Sequence, residues 1–295
     1  MNTIPPSINF HLWKPCNLRC RFCYAVFDEE PELQAVRGGL SEHECRAILD
    51  ALRDAGAEKL TFVGGEPTLC PHLPALLTHA RTLGLVNSVV TNGKRLREVL
   101  DAAPSTVDWV GLSVDSANEA VQAKLGRGRG DHVAQSLGHF RLLHSLGIRV
   151  KLNTVVTSLN WQENMSAFVR EARPERWKIF QVLPIDGQNS GQVEDLLITP
   201  EQFRSFVERH RRLRSEGRTI AAETNEDMMG TYAMIDPLGR FFGNMGGRYV
   251  YSERILDVGV AAAFAAITFD RDRFMARGGV YEWGAPRVPL TVSAT

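Results

Sequence analysis

The regular alternation of strand-like and helix-like segments is the feature that most limits the folds open to this 295-residue chain. Six apolar segments with strand character are each followed by a helical pattern. The predicted strands are residues 8–12, 59–63, 88–91, 109–114, 149–156 and 178–183. Strict alternation favours a parallel sheet with right-handed crossovers, and six units fall short of a closed eight-fold barrel. The sequence therefore predicts an α/β fold, a partial, TIM-like (βα)6 barrel.

The segments around these strands divide the chain in two. Ser41 and Glu44 form the pattern of a capping box that opens a helix, and a basic amphipathic helix is predicted over residues 203–213. After about residue 218 the rhythm changes to a β-hairpin around residues 236–239, followed by an irregular tail. We therefore expect a partial barrel over residues 1–218 and a C-terminal extension over residues 219–295.

Charge and cysteine content restrict the class of protein. Lysine plus arginine and aspartate plus glutamate each total 34, so a nucleic acid polymer is not an expected partner. No apolar run is long enough to span a bilayer, and no signal peptide or amphipathic anchor precedes the first cysteine. Three of the five cysteines lie within eight positions, which suits a metal site in a reducing compartment. The expected location is the cytoplasm, away from membranes.

The three clustered cysteines are Cys16, Cys20 and Cys23, in the pattern CxxxCxxC. Three thiolates in a short loop can hold three irons of a [4Fe–4S] cluster and leave the fourth iron open to a small molecule. A zinc site with His11 as fourth ligand is the alternative. Cys45 and Cys70 do not form the second pair that structural zinc sites usually use, and no cysteine follows Cys70, so a single cluster is predicted.

A second motif, Gly64-Gly65-Glu66-Pro67, follows the second predicted strand. Two glycines let the backbone approach a ligand closely, and the Glu66 carboxylate can pair with an ammonium group. With the cysteine pattern and its flanking Tyr24, this motif makes the chain resemble the radical S-adenosylmethionine superfamily. The resemblance implies that Gly64, Gly65, Glu66 and Tyr24 help to bind S-adenosylmethionine, which is cleaved to a 5′-deoxyadenosyl radical.

Cationic residues occur in phase on the predicted strands. Residues two apart on a strand share a face, so Lys151 shares one with Asn153, and Arg176 with Lys178. Asn9 and His11 likewise share a face of the first strand, and Lys59 shares one with Thr61 on the second. Cations inside a barrel are costly unless a ligand brings negative charge, and a triphosphate would do so. The alternative is that the side chains reach out to water at the strand ends.

Seven stretches in the right order make the chain resemble the viperin family. They are Asn9-Phe10-His11, residues 59–62, Gly126-Arg127-Gly128, residues 151–153, residues 176–181, a run from Glu223 through Tyr232 to Phe241, and residues 277–283. The resemblance implies a dehydratase that removes the ribose 4′-hydrogen of CTP, UTP or GTP and eliminates the 3′-hydroxyl as water. The product would be a chain-terminating nucleotide for antiviral defence.

The resemblance also assigns residues. It implies that Ser113, Arg127 and Asn153 contact S-adenosylmethionine. The implied substrate ligands are Asn9, Lys59, Lys151, Arg176, Lys178 and Tyr281. The resemblance further implies that His11, Tyr281 or a bound water is the acid that assists departure of the hydroxyl, and that the electron comes from the reduced cluster, supplied by a donor such as flavodoxin or ferredoxin. A radical enzyme that modifies a peptide or protein, and a non-catalytic zinc-binding protein, are the competing hypotheses.

Overall fold

One mixed sheet runs through the molecule, and the computed structural model describes it within residues 4–284. The ten strands found there are β1 (Ser7–Trp13), β2 (Lys59–Gly64), β3 (Val86–Thr91), β4 (Trp109–Ser113), β5 (Arg149–Val156), β6 (Arg176–Gln181), β7 (Thr219–Glu223), β8 (Met234–Ile235), β9 (Arg240–Gly243) and β10 (Val250–Arg254). Their order in the sheet is β10-β9-β8-β1-β2-β3-β4-β5-β6-β7.

The strands from β1 to β7 are parallel neighbours in sequence order, and the sheet does not close on itself. Helices connect the first six of them, so the partial barrel of six strand–helix units is confirmed. β8 pairs in parallel with β1 on the other side, and β9 and β10 follow it in antiparallel order. The predicted hairpin is therefore present, and it extends the barrel sheet.

Helices cover the outer side of the sheet and bury one continuous apolar core against it. They are α1 (Pro31–Ala35), α2 (Glu42–Asp54), α3 (Leu73–Thr82), α4 (Leu96–Ala102), α5 (Glu119–Lys124), α6 (His132–Ser145), α7 (Ser166–Ala172), α8 (Pro200–Arg209), α9 (Arg212–Ser215), α10 (Asn225–Met228), α11 (Ile255–Val258), α12 (Val260–Ala265) and α13 (Arg271–Ala276). The capping box predicted at Ser41 and Glu44 is present at the start of α2.

Several details differ from the sequence-based expectation. The helix predicted over residues 203–213 is divided into α8 and α9, because buried His210 leaves the helix and its ring accepts a hydrogen bond from the Met165 amide. The sixth strand begins two residues before its predicted start, at Arg176. The tail, predicted to be irregular, contains α11, α12 and α13, which are too short to produce a helical period that can be recognised in sequence.

The boundary predicted at residue 218 falls directly before β7. Because β7 pairs with β6 and β8 pairs with β1, the segment after this boundary belongs to the same sheet as the segment before it. The division into two units stays a prediction. None of the helices between residues 4 and 284 combines the length and apolarity that crossing a membrane requires.

Candidate active site

A cavity of about 780 Å³ lies inside the curved sheet and contains nearly every site residue predicted from the sequence. That volume is in the range of small-molecule sites. Its wall includes Cys16, Cys20, Cys23, Tyr24, Gly64, Gly65, Glu66, Ser113, Arg127, Asn153, Asn9, Lys59, Lys151, Arg176, Lys178 and Tyr281. The exception among the predicted residues is His11, which does not line the cavity.

The two ends of the cavity have different chemistry. The cysteines follow the carboxyl end of β1, and Gly64 and Gly65 stand at the carboxyl end of β2. Lys59 is the first residue of β2. With a rise of about 3.3 Å per residue, the lysine and the glycine pair are roughly 17–20 Å apart along the strand. The cavity is therefore long enough for two ligands placed end to end.

Close backbone contacts hold the cysteine loop in place. A Cβ atom at Gly65 would lie 2.1 Å from the carbonyl oxygen of Lys14, and one at Gly126 would lie 2.0 Å from that of Arg19. Gly126 also has a φ of +85°, which favours glycine. The Arg21 amide donates to the Leu125 carbonyl at 3.1 Å. The loop is thus held between the end of β2 and the turn after α5.

The three cysteines fit a cluster better than a single ion. All three are free thiols that line the same end of the cavity. His11, the fourth ligand of the zinc alternative, does not line the cavity that the three cysteines line. Burial raises the pKa of Cys20 to about 12, while the charge of nearby Arg127 acts in the opposite direction. Thiols in this setting need iron or another cation to stay ionised.

Glu66 is a fully buried carboxylate beside the cysteine loop. Its Oε1 accepts hydrogen bonds from the Thr68 amide and hydroxyl and from the Thr91 hydroxyl, at 2.6 to 3.0 Å. Its Oε2 accepts from the Asn92 amide at 2.8 Å, which leaves acceptor capacity on that oxygen. An ammonium group such as that of methionine can use it.

Arg127 lies on the other side of the cysteine loop. Its Nε donates to Asp115, which is fully buried and also accepts from the Val155 amide at 2.8 Å. The guanidinium stacks 5.4 Å from the ring centroid of Phe22 in the loop. Because Asp115 fixes one edge of the guanidinium, the remaining N–H groups can bind a carboxylate. Together with Glu66, this gives complementary partners for an amino acid moiety.

The opposite end of the cavity is lined with cations. Lys59, Lys151 and Arg176 are at most 9% exposed, so they do not reach out to water. They surround the ring of Tyr281, with Lys59 and Lys151 Nζ 5.2 and 5.1 Å and Arg176 Cζ 4.5 Å from its centroid. The Trp109 indole donates to the Trp283 carbonyl at 3.0 Å, which ties the tail across this end. We call this group of four side chains with Trp283 the cationic floor.

The lysines of the cationic floor are poorly compensated. Burial, together with the neighbouring charges of Lys178 and Arg176, lowers the pKa of Lys59 to about 7. The same causes hold the pKa of Lys151 well below its usual value. Side chains that would gain charge on meeting an anion are typical of a phosphate site.

Lys178 is distinct from the other predicted phosphate ligands because it has a carboxylate partner. Its Nζ lies 2.7 Å from Glu223 Oε1 and donates to the Tyr232 hydroxyl at 2.7 Å. The Tyr232 hydroxyl in turn donates to Glu223 Oε2. Neither Glu223 nor Tyr232 was assigned a role from the sequence. Glu223 ends a strand that the sequence pattern did not reveal, so the inward face that identified the lysines was not recognisable there.

The two predicted acid candidates have different surroundings. The Tyr281 hydroxyl is buried and has no hydrogen-bond partner within residues 4–284, and its ring lines the cavity. His11 is fully buried in an aromatic group, with ring centroids 5.9 Å from Tyr24, 5.4 Å from Phe27 and 5.3 Å from Phe242. Burial lowers the pKa of His11 to about 3, so its ring is neutral near pH 7. Of the two, the geometry favours Tyr281.

Comparison with protein families gives one match and several close relatives. Residues 13–168 match the radical SAM superfamily. The chain is 43% identical over 286 residues to an S-adenosylmethionine-dependent nucleotide dehydratase of Flammeovirga pacifica, covering 96% of this chain and 97% of the relative. It is 33% identical to a protein of the same name from a Thermoplasmatales archaeon, covering 94% and 96% of the two chains.

Solved structures share the fold at low sequence identity. The chain superposes on Streptococcus suis SuiB bound to S-adenosylmethionine with a TM-score of 0.70 and 16% identity, covering 94% of this chain and 68% of the other. It superposes on anSMEcpe with bound AdoMet with a TM-score of 0.64 and 14% identity, covering 92% and 79%. At this level of identity the likeness supports the partial barrel and carries no further conclusion.

Proposed function

Since the chain belongs to the radical SAM superfamily and, within it, to the viperin-like S-adenosylmethionine-dependent nucleotide dehydratases, we propose that it dehydrates a ribonucleoside triphosphate. The observation that carries the substrate class is the cationic floor: buried Lys59, Lys151 and Arg176 gather at the end of the cavity away from the cysteines. The substrate is CTP, UTP or GTP, and its triphosphate binds there.

The cofactors of this family are a [4Fe–4S] cluster and S-adenosylmethionine. Cys16, Cys20 and Cys23 would hold the cluster, and Glu66 and Arg127 would bind the amino and carboxylate groups of S-adenosylmethionine. Further contacts come from Tyr24, Gly64, Gly65, Ser113 and Asn153. When bound, these cofactors would supply the radical chemistry that removes the 4′-hydrogen of the ribose.

The protein positions the ribose between its two ends. Asn9 and Lys178 line the middle of the cavity, between the cysteine loop and the cationic floor, and serve as further substrate ligands. After the 4′-hydrogen is removed, one electron and one proton release the 3′-hydroxyl as water. Of the two acid candidates named from the sequence, Tyr281 is the one that lines the cavity, and it does so at the cationic floor, where it contacts the triphosphate. The product is a 3′-deoxy-3′,4′-didehydro nucleotide that terminates viral RNA synthesis and serves antiviral defence.

Modification of a peptide is the less well supported activity. SuiB, one of whose structures contains its precursor peptide, is only 17% identical to this chain, and that likeness concerns the fold alone. The relatives that match over nearly their whole length are named nucleotide dehydratases. We also propose that the protein works in the cytoplasm, with flavodoxin or ferredoxin as the electron donor.

The decisive experiment is anaerobic. The purified protein is reconstituted with iron and sulfide and supplied with S-adenosylmethionine, dithionite and each of the four ribonucleoside triphosphates in turn. We expect 5′-deoxyadenosine together with a nucleotide lighter by one water in the mass spectrum. If none of the four raises 5′-deoxyadenosine above its level without nucleotide, the substrate assignment is wrong, although the cluster assignment survives.

A matched pair of variants tests the cluster ligands. Cys20→Ala should lose the brown colour, the iron, the 5′-deoxyadenosine and the dehydrated nucleotide. Cys70→Ala removes a free thiol outside the cysteine loop, so this variant should keep all four. Equal iron contents in the two variants would contradict the assignment.

A further inference from the structure

Glu223 is an unexpected carboxylate beside Lys178, one of the predicted phosphate ligands. It is fully buried, and its Oε1 lies 2.7 Å from Lys178 Nζ and 3.6 Å from Arg277 NH1. A negative charge here weakens the binding of a triphosphate, because like charges repel strongly where water is excluded. Its presence therefore needs a reason other than substrate affinity.

Glu223, Tyr232 and Lys178 form a closed set of hydrogen-bonding groups. The Tyr232 hydroxyl accepts a hydrogen bond from Lys178 Nζ at 2.7 Å and donates one to Glu223. Lys178 also forms an ion pair with Glu223 directly. The guanidinium of Arg277 stacks 3.8 Å from the ring centroid of Tyr232 and is fixed by hydrogen bonds to Thr231. We call Lys178, Tyr232 and Glu223 the relay triad.

The relay triad is level with the middle of the cavity. Tyr232 lines the cavity and directly precedes Ala233, whose carbonyl accepts from the Asn9 amide at 2.9 Å. Lys178 is two residues farther along β6 than Arg176. The Lys178 position is therefore displaced from the cationic floor by roughly 7 Å along the strand. A ribose held by its triphosphate on that floor, with the radical source at the other end, must lie in this middle part.

The protonation of the triad suits proton donation. Burial, only partly opposed by Glu223, lowers the pKa of Lys178 to about 8. Burial acts to raise the pKa of Glu223, but Lys178 and Arg277 hold it below its usual range. Burial, reinforced by Glu223, raises the pKa of the Tyr232 phenol well above its usual range, so the phenol keeps its proton until the leaving oxygen takes it, and Lys178, with its lowered pKa, can replace that proton.

We propose that Tyr232 donates the proton that leaves with the 3′-hydroxyl, that Lys178 restores it, and that Glu223 is the positioning residue for both. This inference rests on the proposed function. As the C3′–O bond breaks, the substrate radical takes one electron from the one-electron donor and the oxygen takes the Tyr232 proton. Water and a C3′–C4′ double bond result. The Tyr232 phenolate then takes a proton from the Lys178 ammonium, which regains one from solvent.

The test separates hydrogen abstraction from water loss. The wild type and Tyr232→Phe are supplied with the accepted nucleotide carrying deuterium at C4′, and deuterated 5′-deoxyadenosine and dehydrated nucleotide are both quantified. In Tyr232→Phe we expect deuterium transfer to continue, while dehydrated nucleotide falls by about 100-fold or more, the effect of removing a general acid. Tyr251→Phe is the matched control, because Tyr251 does not line the cavity.

Two further variants distinguish proton transfer from phosphate binding. Lys178→Arg keeps the positive charge but cannot give up a proton near neutral pH, so its nucleotide KM should stay close to that of the wild type while dehydration falls. Glu223→Gln removes the repulsive charge, so its KM should fall or stay constant while kcat decreases. A merely structural role would change KM and kcat together.

Wild-type ratios of dehydrated nucleotide to 5′-deoxyadenosine in Tyr232→Phe and Lys178→Arg would overturn the relay. Simultaneous loss of nucleotide binding and deuterium transfer in both variants would also overturn it, because the residues would then be structural. If the wild type dehydrates none of the four nucleotides, the proposed function itself is wrong. The relay is tested only by comparing the variants with an active wild type, so the two failures can be told apart.

Discussion

At the scale of single residues, the lysines of the cationic floor are the most informative. The Nζ atoms of Lys59 and Lys151 lie 5.2 and 5.1 Å from the centroid of the same ring, that of Tyr281. Two ammonium groups this close and this buried oppose each other's protonation. The free protein therefore carries less charge at this end than the formal count of lysines suggests.

This arrangement predicts that triphosphate binding takes up protons. The pKa of Lys59 is about 7 in the free protein and should return toward its usual value of about 10.4 beside phosphate. Between those two values, as at pH 8, the complex holds more protons than the separate partners. The affinity should therefore fall as the pH rises through this window. Calorimetry at pH 8 in two buffers of different ionisation enthalpy measures the uptake.

A control variant makes the calorimetric result specific. Lys59→Met should reduce the number of protons taken up, while Lys124→Met, at an exposed position on α5, should leave it unchanged. A binding enthalpy that does not depend on the buffer would contradict the prediction.

At the scale of elements, the contact between the cysteine loop and the turn after α5 deserves a direct test. Gly126→Ala places a Cβ against the Arg19 carbonyl and forces alanine to a φ of +85°. We expect it to lower the free energy of unfolding by about 1–3 kcal/mol and to reduce iron incorporation by displacing the loop. Thermal unfolding and iron analysis measure the two effects.

Gly138→Ala is the matched control for this substitution. Gly138 lies inside α6, and no atom would meet its Cβ within 4 Å. Alanine there should raise stability by about 0.5–1 kcal/mol, because it is the better helix former. If the two variants unfolded alike and bound equal iron, the proposed contact would have no structural importance.

The elements also explain what the sequence could and could not predict. The strands β1 to β6 were recognisable because their alternating or continuous apolar patterns are bounded by glycine and polar turns, and the phase of Lys151 and Asn153 then identified the inward face. β7, with the sequence Thr-Ile-Ala-Ala-Glu, has small residues and little contrast between its faces. Its inward carboxylate, Glu223, was therefore not assigned.

Contacts distant in sequence account for the rest. Nothing local to His11 indicates that Phe27 and Phe242 enclose its ring, because one lies in the loop after the cysteines and the other in β9. The break between α8 and α9 likewise depends on a hydrogen bond from Met165, 45 residues before His210. Such partners depend on the assembled barrel and leave no periodic pattern in either segment.

At the scale of the whole molecule, the barrel separates two tasks along one axis. The carboxyl ends of the strands carry the cysteine loop and the groups proposed to bind S-adenosylmethionine, whereas the start of β2 and the start of β6 carry cations. The tail crosses the cationic end, where the Arg149 guanidinium donates to the Glu282 carbonyl at 3.2 Å and Arg176 donates to the Gly278 carbonyl at 3.2 Å. Within residues 4–284, exposed lining residues such as Arg19 and Gln34 lie at the cysteine end.

A cavity with a closed floor and its entrance at the cofactor end imposes a sequence of events in time. The nucleotide has to arrive first, because S-adenosylmethionine occupies the route to the floor once it is bound, and the altered nucleotide has to leave last. We expect a compulsory-order mechanism in which high concentrations of S-adenosylmethionine inhibit, and in which added nucleotide relieves that inhibition. Initial rates measured over a grid of both concentrations would reveal it, and a simple plateau with S-adenosylmethionine at every nucleotide concentration would rule it out.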